Sequence, residues 1–232
     1  YSYSLAIGDI RSTTTTTTLN GSATVLNYGG NAFGAGWTLQ GLEQITAASG
    51  GVILDLGGGD KSLWFAGSFG SGGGTFTDPA GEFSTLTQNS GGTYTQTLTN
   101  GTKIDFSSGG YETDTVDLNG LRTTFSYNGS NQLSTIKDPY SNLTTFTYSG
   151  GTLQTIADPA GRVATFTHSG GNLTGVTLPD SSTWGYQYDG AGRMTAVTDP
   201  NSHTVSVTYD SAERVGTITR PDTSVETFRA YQ

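Results

Sequence analysis

From residue 111 onward, apolar and polar positions alternate in short runs, and the runs recur. The stretch NLTTFTYSGGTLQTIADP, residues 142–159, contains the unit. Phe146 and Tyr148 stand two apart, so on a strand they share one face and leave Thr145 and Thr147 on the other. Ser149-Gly150-Gly151 then supplies the positive φ that a tight turn needs at little cost, and Leu153 to Ile156 runs back. Each unit is therefore expected to be one β-hairpin. Leu153 and Ile156 are three apart, which breaks strict alternation and predicts either a bulge or side chains packing on both faces.

The unit repeats in register. Pro139, Pro159, Pro179, Pro200 and Pro221 follow one another at intervals of 20, 20, 21 and 21 residues. An aromatic column runs through Tyr127, Tyr148, His168, Tyr188 and Tyr209, and two residues before it stand Phe125, Phe146, Phe166, Tyr186 and Val207. Two aliphatic columns follow: Leu133, Leu153, Leu173, Met194 and Val215, then Ile136, Ile156, Val176, Val197 and Ile218. Periodicity of this kind marks a repeat architecture rather than an ordinary globular core. Proline fixes φ for the second position of a turn, and a preceding Asp accepts a hydrogen bond from a backbone N–H further on. Asp138, Asp158 and Asp199 are accordingly assigned to turns. In two units the acid moves behind the proline, to Asp180 and Asp222, a drift that suits a turn former and not a catalytic acid.

Tyr188-Asp189-Gly190-Ala191-Gly192-Arg193-Met194, followed by Asp199-Pro200, resembles the Tyr-Asp signature of RHS/YD-repeat proteins. Tyr209, Asp210 and Arg214 repeat it, with Glu213 in place of the glycine. The other units keep the aromatic residue and change the rest, with Gln132, Thr152 and Asn172 at the arginine position. The residues singled out as the repeat signature are thus Tyr188, Asp189, Gly192, Arg193, Tyr209, Asp210 and Arg214, with Pro139, Pro159 and Pro200. Upstream, FGAGWTLQGLEQI with Trp37, and GGVILDLGGGDKSLWF, resemble the segment that leads into such repeats. There Val52 to Leu56 and Ser62 to Phe65 flank a glycine turn, and Thr93 to Thr99 and Thr102 to Phe106 flank Asn100-Gly101, a strong hairpin signal.

The expected fold is all-β: consecutive antiparallel hairpins forming one continuous curved or spiral sheet, with almost no helix. Residues 1–30 read as an extended Thr-rich segment, 31–110 as a lead-in of hairpins, and 111–232 as the repeats. The resemblance implies a hollow shell, secreted or at the cell surface, that encloses a toxic cargo or acts in adhesion. Five hairpins make about ten strands, roughly 48 Å across at ~4.8 Å per strand, too narrow to wrap a cargo domain unaided. The expected partners are therefore other copies of the chain or the remainder of a larger shell. The chain starts at Tyr1 and its one methionine is Met194, so it is read as a processed piece or part of something longer.

Composition narrows the function. The formal net charge is -9, with 3 basic and 7 acidic residues before position 111 and 7 and 12 after it. With no basic patch to neutralise phosphate, a nucleic-acid partner is not expected. No apolar run approaches the ~20 residues of a membrane helix, and cysteine is absent. A thiol nucleophile, a Gly-x-Ser-x-Gly elbow and a metal-spaced histidine pair are all missing from the sequence, so neither an enzyme nor a cofactor is expected. His168 sits in the aromatic column and reads as a packed ring. Gly57-Gly58-Gly59-Asp60 is one copy of a pattern that binds calcium only when stacked. Asn-x-Ser/Thr sequons at Asn20, Asn100, Asn128, Asn142 and Asn172 follow from Asn-rich turns beside Thr-rich strands. Thr13 to Thr18 is β-branched and polar on both faces, which suits an edge strand, a linker or a strand that pairs across a subunit boundary. The aromatic columns also admit a glycan-binding or cell-surface adhesive face as the alternative to a structural role.

Overall fold

The computed structural model describes residues 2–8, 16–22, 28–58 and 62–228, and among these there is no helix. Strands Ser2–Gly8 and Thr16–Ser22 pair antiparallel, so the second half of the threonine run lies in a strand. Thr13 to Thr15, Gly59 and Asp60 lie outside the described residues. Strands Gln44–Ala48, Gly51–Asp55 and Ser62–Ala66 form a three-stranded sheet, closing the hairpin expected across the glycine turn.

Everything from Gly74 to Thr227 belongs to one antiparallel sheet of sixteen strands, each paired with its neighbour in sequence. The sheet is wider than five hairpins would make it, because strands Gly74–Thr75, Thr85–Gln88, Tyr94–Thr97, Lys103–Phe106 and Glu112–Val116 extend it on the N-terminal side. The Asn100-Gly101 hairpin is present, with its turn running from Leu98 to Thr102.

Register follows the columns. Phe146 pairs with Ile156 and Tyr148 with Leu153, so these apolar side chains meet on one face while Thr147 faces Thr155 on the other. Between those pairs the register slips by one residue, leaving Gln154 unopposed. The same bulge recurs at Ser134, Thr174, Thr195 and Gly216, one per repeat. It is what lets Leu153 and Ile156, three apart, point to the same side.

Two clusters are buried. In the first, Ile45, Val52, Leu54, Leu63 and Phe65 of the small sheet pack on Phe76, Leu86, Tyr94, Ile104 and Phe106 of the long one. The second centres on Leu133, Phe146 and Leu153, with Phe33, Leu39 and Leu42 laid over them from the lead-in. Beyond that cover the same column opens: Leu133, Leu153 and Leu173 are 1–3% exposed, whereas Val215 is 38% exposed.

Candidate functional site: signature turns and the segment seated on the repeats

One turn serves nearly every connection in the repeats. Its first residue donates N–H to the carbonyl of the fifth, and the fourth donates back to the carbonyl of the first. This holds from Asp189 to Arg193, from Asp210 to Arg214, from Asp138 to Asn142, from Asp158 to Arg162 and from Asp199 to His203. The fourth residue has φ between 58° and 79° throughout the repeats: Gly120, Gly161 and Gly192 fill the position in three turns, Asn131, Ser141, Ser181, Ser202, Glu213 and Thr223 in the others. Positive φ is free for glycine and costs other residues energy, which explains Gly192 in the signature.

The Tyr-Asp turns and the Asp-Pro turns are therefore the same device on opposite edges of the sheet. Asp189 Oδ1 accepts from the N–H groups of Ala191 and Arg193, both at 3.0 Å, while Oδ2 holds Arg193 Nε at 2.8 Å. Asp210 treats Ala212 and Arg214 in the same way. Asp138, Asp158 and Asp199 repeat it with Asn142, Arg162 and His203 at the fifth position, and Pro139, Pro159 and Pro200 at the second. Where the acid has drifted, Asp180 and Asp222 accept from both N–H and Oγ of Ser182 and Ser224. Hydrogen bonds to the ionised form hold these carboxyls below the usual range: chiefly the backbone N–H of Arg193 for Asp189 and of Arg214 for Asp210, and the Asn142 and Arg162 side chains for Asp138 and Asp158.

Two repeats depart from this. Ser149 to Thr152 and Ser169 to Asn172 turn through Gly150-Gly151 and Gly170-Gly171, both residues of each pair with positive φ. These are two-residue turns, one residue shorter, and they lie in the intervals where proline spacing is 20 rather than 21.

The tyrosine and arginine of the signature tie repeats together. Tyr148 OH donates to the Leu133 carbonyl at 2.8 Å and Tyr209 OH to that of Met194 at 2.7 Å, each reaching one repeat back. The Arg193 guanidinium lies 4.7 Å above the ring centre of Tyr209, one repeat forward.

Residues 28–43 cross the apolar face of these repeats as a strap. Ala32 accepts from Leu153 N–H, Ala35 donates to the Gly171 carbonyl at 2.9 Å, and His168 Nε2 stands 3.3 Å from the Phe33 carbonyl. At the tip, Trp37 Nε1 donates to Tyr188 OH at 2.9 Å and its ring meets Tyr186 edge-on at 4.9 Å. Gly34 is required where the strap touches down: a Cβ there would stand 2.9 Å from Leu173 Cβ, and its φ is 115°. Beneath the strap lies a cavity of about 360 Å³, walled by Tyr28, Tyr111, Tyr127 and Tyr148 and by Glu43 and Asp55. Tyr28 OH donates to Asp55, and burial with that carboxylate pushes the phenol up to about 12.

The sequence columns carry no sign of the strap. Trp37 was singled out only by resemblance, and its partner lies 151 residues away. Glu43 and Glu112, which meet where the strap rejoins the sheet, carried no signal at all. Among the described residues no group of three His, Asp or Glu side chains is arranged to hold a metal, and no helix is long and apolar enough to cross a membrane, which says nothing of a β-barrel.

Comparison with known proteins agrees on the repeats. Residues 168–204 and 192–225 match the family model described as RHS Repeat. No curated protein matches the chain. Among solved structures, it is similar to a chain of a Tc holotoxin pore of Photorhabdus luminescens, at 13% identity over 77% of this chain and 12% of that one, with a TM-score of 0.45. A chain in the crystal structure of TcdB2-TccC3-Cdc42 has the same identity and coverage, with a TM-score of 0.44. The present chain thus spans about an eighth of the length of either.

Proposed function

We propose that this chain, an RHS-repeat protein over residues 168–225, is a non-enzymatic wall segment of an RHS/YD-type shell or scaffold outside the cell. The observation that carries the reading is the single sixteen-stranded sheet, apolar on one face and threonine-rich on the other. At ~4.8 Å per strand such a sheet runs about 77 Å, the dimension of a wall rather than of a domain core. Recurrent bulges support curvature, since each one bends its strand and adds twist. The apolar columns continue past Tyr188 at partial exposure, as suits an inner surface that further chain packs against. In this reading residues 111–232 carry the repeats of the wall, the lead-in strands from Gly74 onward begin the same sheet, the lead-in before them braces it, and residues 1–30 lead in. Its partners are the remainder of the shell or other copies of the chain.

Electron cryo-microscopy of the native polypeptide from its source tests this. The expected result is a closed wall with the Tyr, Phe and Leu columns facing inward. A freestanding sheet with water on both faces, or saturable glycan binding without an enclosed volume, would overturn it in favour of an adhesin, whereas a sedimenting polymer would make the scaffold a self-assembling filament.

A further inference from the structure

The strap rejoins the protein at a seam between the small sheet and the long one. Gln44 bridges to Tyr111, and Ile45 donates N–H to the Gly110 carbonyl at 2.8 Å. The backbones approach so closely that a Cβ on Gly110 would lie 1.9 Å from the Ile45 carbonyl oxygen. At this seam two glutamates meet. Glu43 donates its backbone N–H to Glu112 Oε2 at 2.8 Å, and Thr115 Oγ1 donates to the other oxygen at 2.7 Å. Glu112 is 2% exposed. Both its oxygens are satisfied by donors, so it is the member of the pair suited to carry charge. Glu43 is the reverse: its Oε2 is buried and has no hydrogen-bond partner.

We propose that Glu43 and Glu112 form a proton-dependent latch between the lead-in and the first strands of the long sheet, closed while Glu43 holds a proton and loosened when it gives it up. A second ionised carboxylate here has nothing to offset it. The charges acting on Glu43 are those of Glu112, Asp55 and Glu82, all of one sign, and Asp114 adds to them at Glu112. The surrounding cavity wall adds the phenols of Tyr28, Tyr111, Tyr127 and Tyr148 and no lysine, arginine or histidine. The backbones touch at Gly110, directly beside the two carboxyls, so repulsion between them bears on the pairing of the strands.

Burial first, and Glu112 second, push Glu43 up from 4.5 to about 7. Burial pushes Glu112 up as well, against the two donors it accepts. The folded seam therefore binds the proton more tightly than the unfolded chain does. Its contribution to stability is complete below about 4.5 and is lost as pH rises through about 7.

Hydrogen exchange of the full chain at pH 6 and pH 8, corrected for intrinsic base catalysis, reads the latch directly. In the wild type, protection at Ile45 and across residues 110–116 should fall by up to about tenfold between the two pH values, while residues 206–219 serve as an unchanging reference. Glu43→Gln, neutral and of the same size, should abolish the fall. Glu112→Gln should move it to lower pH by removing the charge that holds the proton on Glu43. A pH-independent seam in the wild type, or a fall that persists in Glu43→Gln, overturns the proposal. So does recovery of protection at pH 8 on adding calcium, which would make the pair a cation site.

Discussion

Replacing Gly192 with Ala isolates the backbone term in the repeat turn. Gly192 has φ of 78°, and a Cβ added there would meet nothing nearer than Asn172 Oδ1 at 4.0 Å. The substitution therefore introduces no clash, and its whole cost is that of holding an L-residue in the left-handed region, about 1–2 kcal/mol. A loss of ~1 kcal/mol corresponds to about fivefold in the opening equilibrium of this turn, or roughly 2–4 °C in Tm for a chain of this size if it melts cooperatively. Stability in stacked repeats is largely a local and nearest-neighbour quantity, so exchange of the Asp189 and Gly192 amides, both hydrogen-bonded across the turn, is the sharper assay. The reciprocal substitution is Ser202→Gly, at φ of 66° in the matching Asp199 turn. Relief of about 1–2 kcal/mol there is offset by the ~0.5–1 kcal/mol of extra freedom that glycine gives the unfolded chain, leaving a small net gain. Unchanged exchange in Gly192→Ala, or faster exchange in Ser202→Gly, would refute the assignment of the signature glycine to backbone conformation.

Three further outcomes follow from the site. Trp37→Phe and Tyr188→Phe each remove one side of the Nε1–OH hydrogen bond, so a double-mutant cycle by chemical denaturation should give a coupling of about 1 kcal/mol, and no coupling would mean the strap is not held there. Gly34→Ala should release the strap, seen as a gain in solvent quenching of Trp37 fluorescence, whereas Gly36→Ala, with open space around its Cβ, should bear only a backbone cost. On the acid side, Asp138, Asp158, Asp189, Asp199 and Asp210 have depressed folded-state values, so their contribution is present above the unfolded value near 3.8 and lost as pH falls below it. Thermal melts followed by circular dichroism from pH 7 to pH 2 should show Tm dropping mainly below pH 4, and a Tm that stays constant down to pH 2 would refute the reasoning.

What could be read in the chain was whatever its own neighbourhood determines. Phe146, Tyr148, Leu153 and Ile156 lie within a dozen residues, so their spacing encodes the hairpin, its face and its bulge. The turn chemistry was equally local, because Asp189 and Arg193 sit four apart in the sequence. The change in turn length was present in the interval between prolines and needed only to be matched to Gly150-Gly151 and Gly170-Gly171. The strap was beyond such reasoning: Phe33 reaches His168 across 135 residues, and a non-repeating segment offers no second copy from which to infer its partner. Glu43 and Glu112 lie in ordinary alternating stretches, and neither reveals a buried carboxyl until the two strands are brought side by side.

The departures from the signature gain a reason from the strap. The second and third repeats have Tyr148-Ser149 and His168-Ser169 where Tyr188-Asp189 and Tyr209-Asp210 stand later, and they lack the arginine. In a five-residue turn, Asp and Arg stabilise the connection from within. In the two short turns that task passes to neighbours: the Gly151 carbonyl accepts from Gln132 Nε2 at 2.8 Å, and the Gly171 carbonyl accepts from Ala35 of the strap. His168 replaces a tyrosine where Phe33 presents its carbonyl, so an N–H donor or a ring stands where the phenol would otherwise reach back along the sheet. The full signature returns at Tyr188, where the tip of the strap ends on Trp37. Variation between the second and fourth repeats thus follows the footprint of what lies on them, and the complete Tyr-Asp-Gly-Arg set first appears where the strap ends.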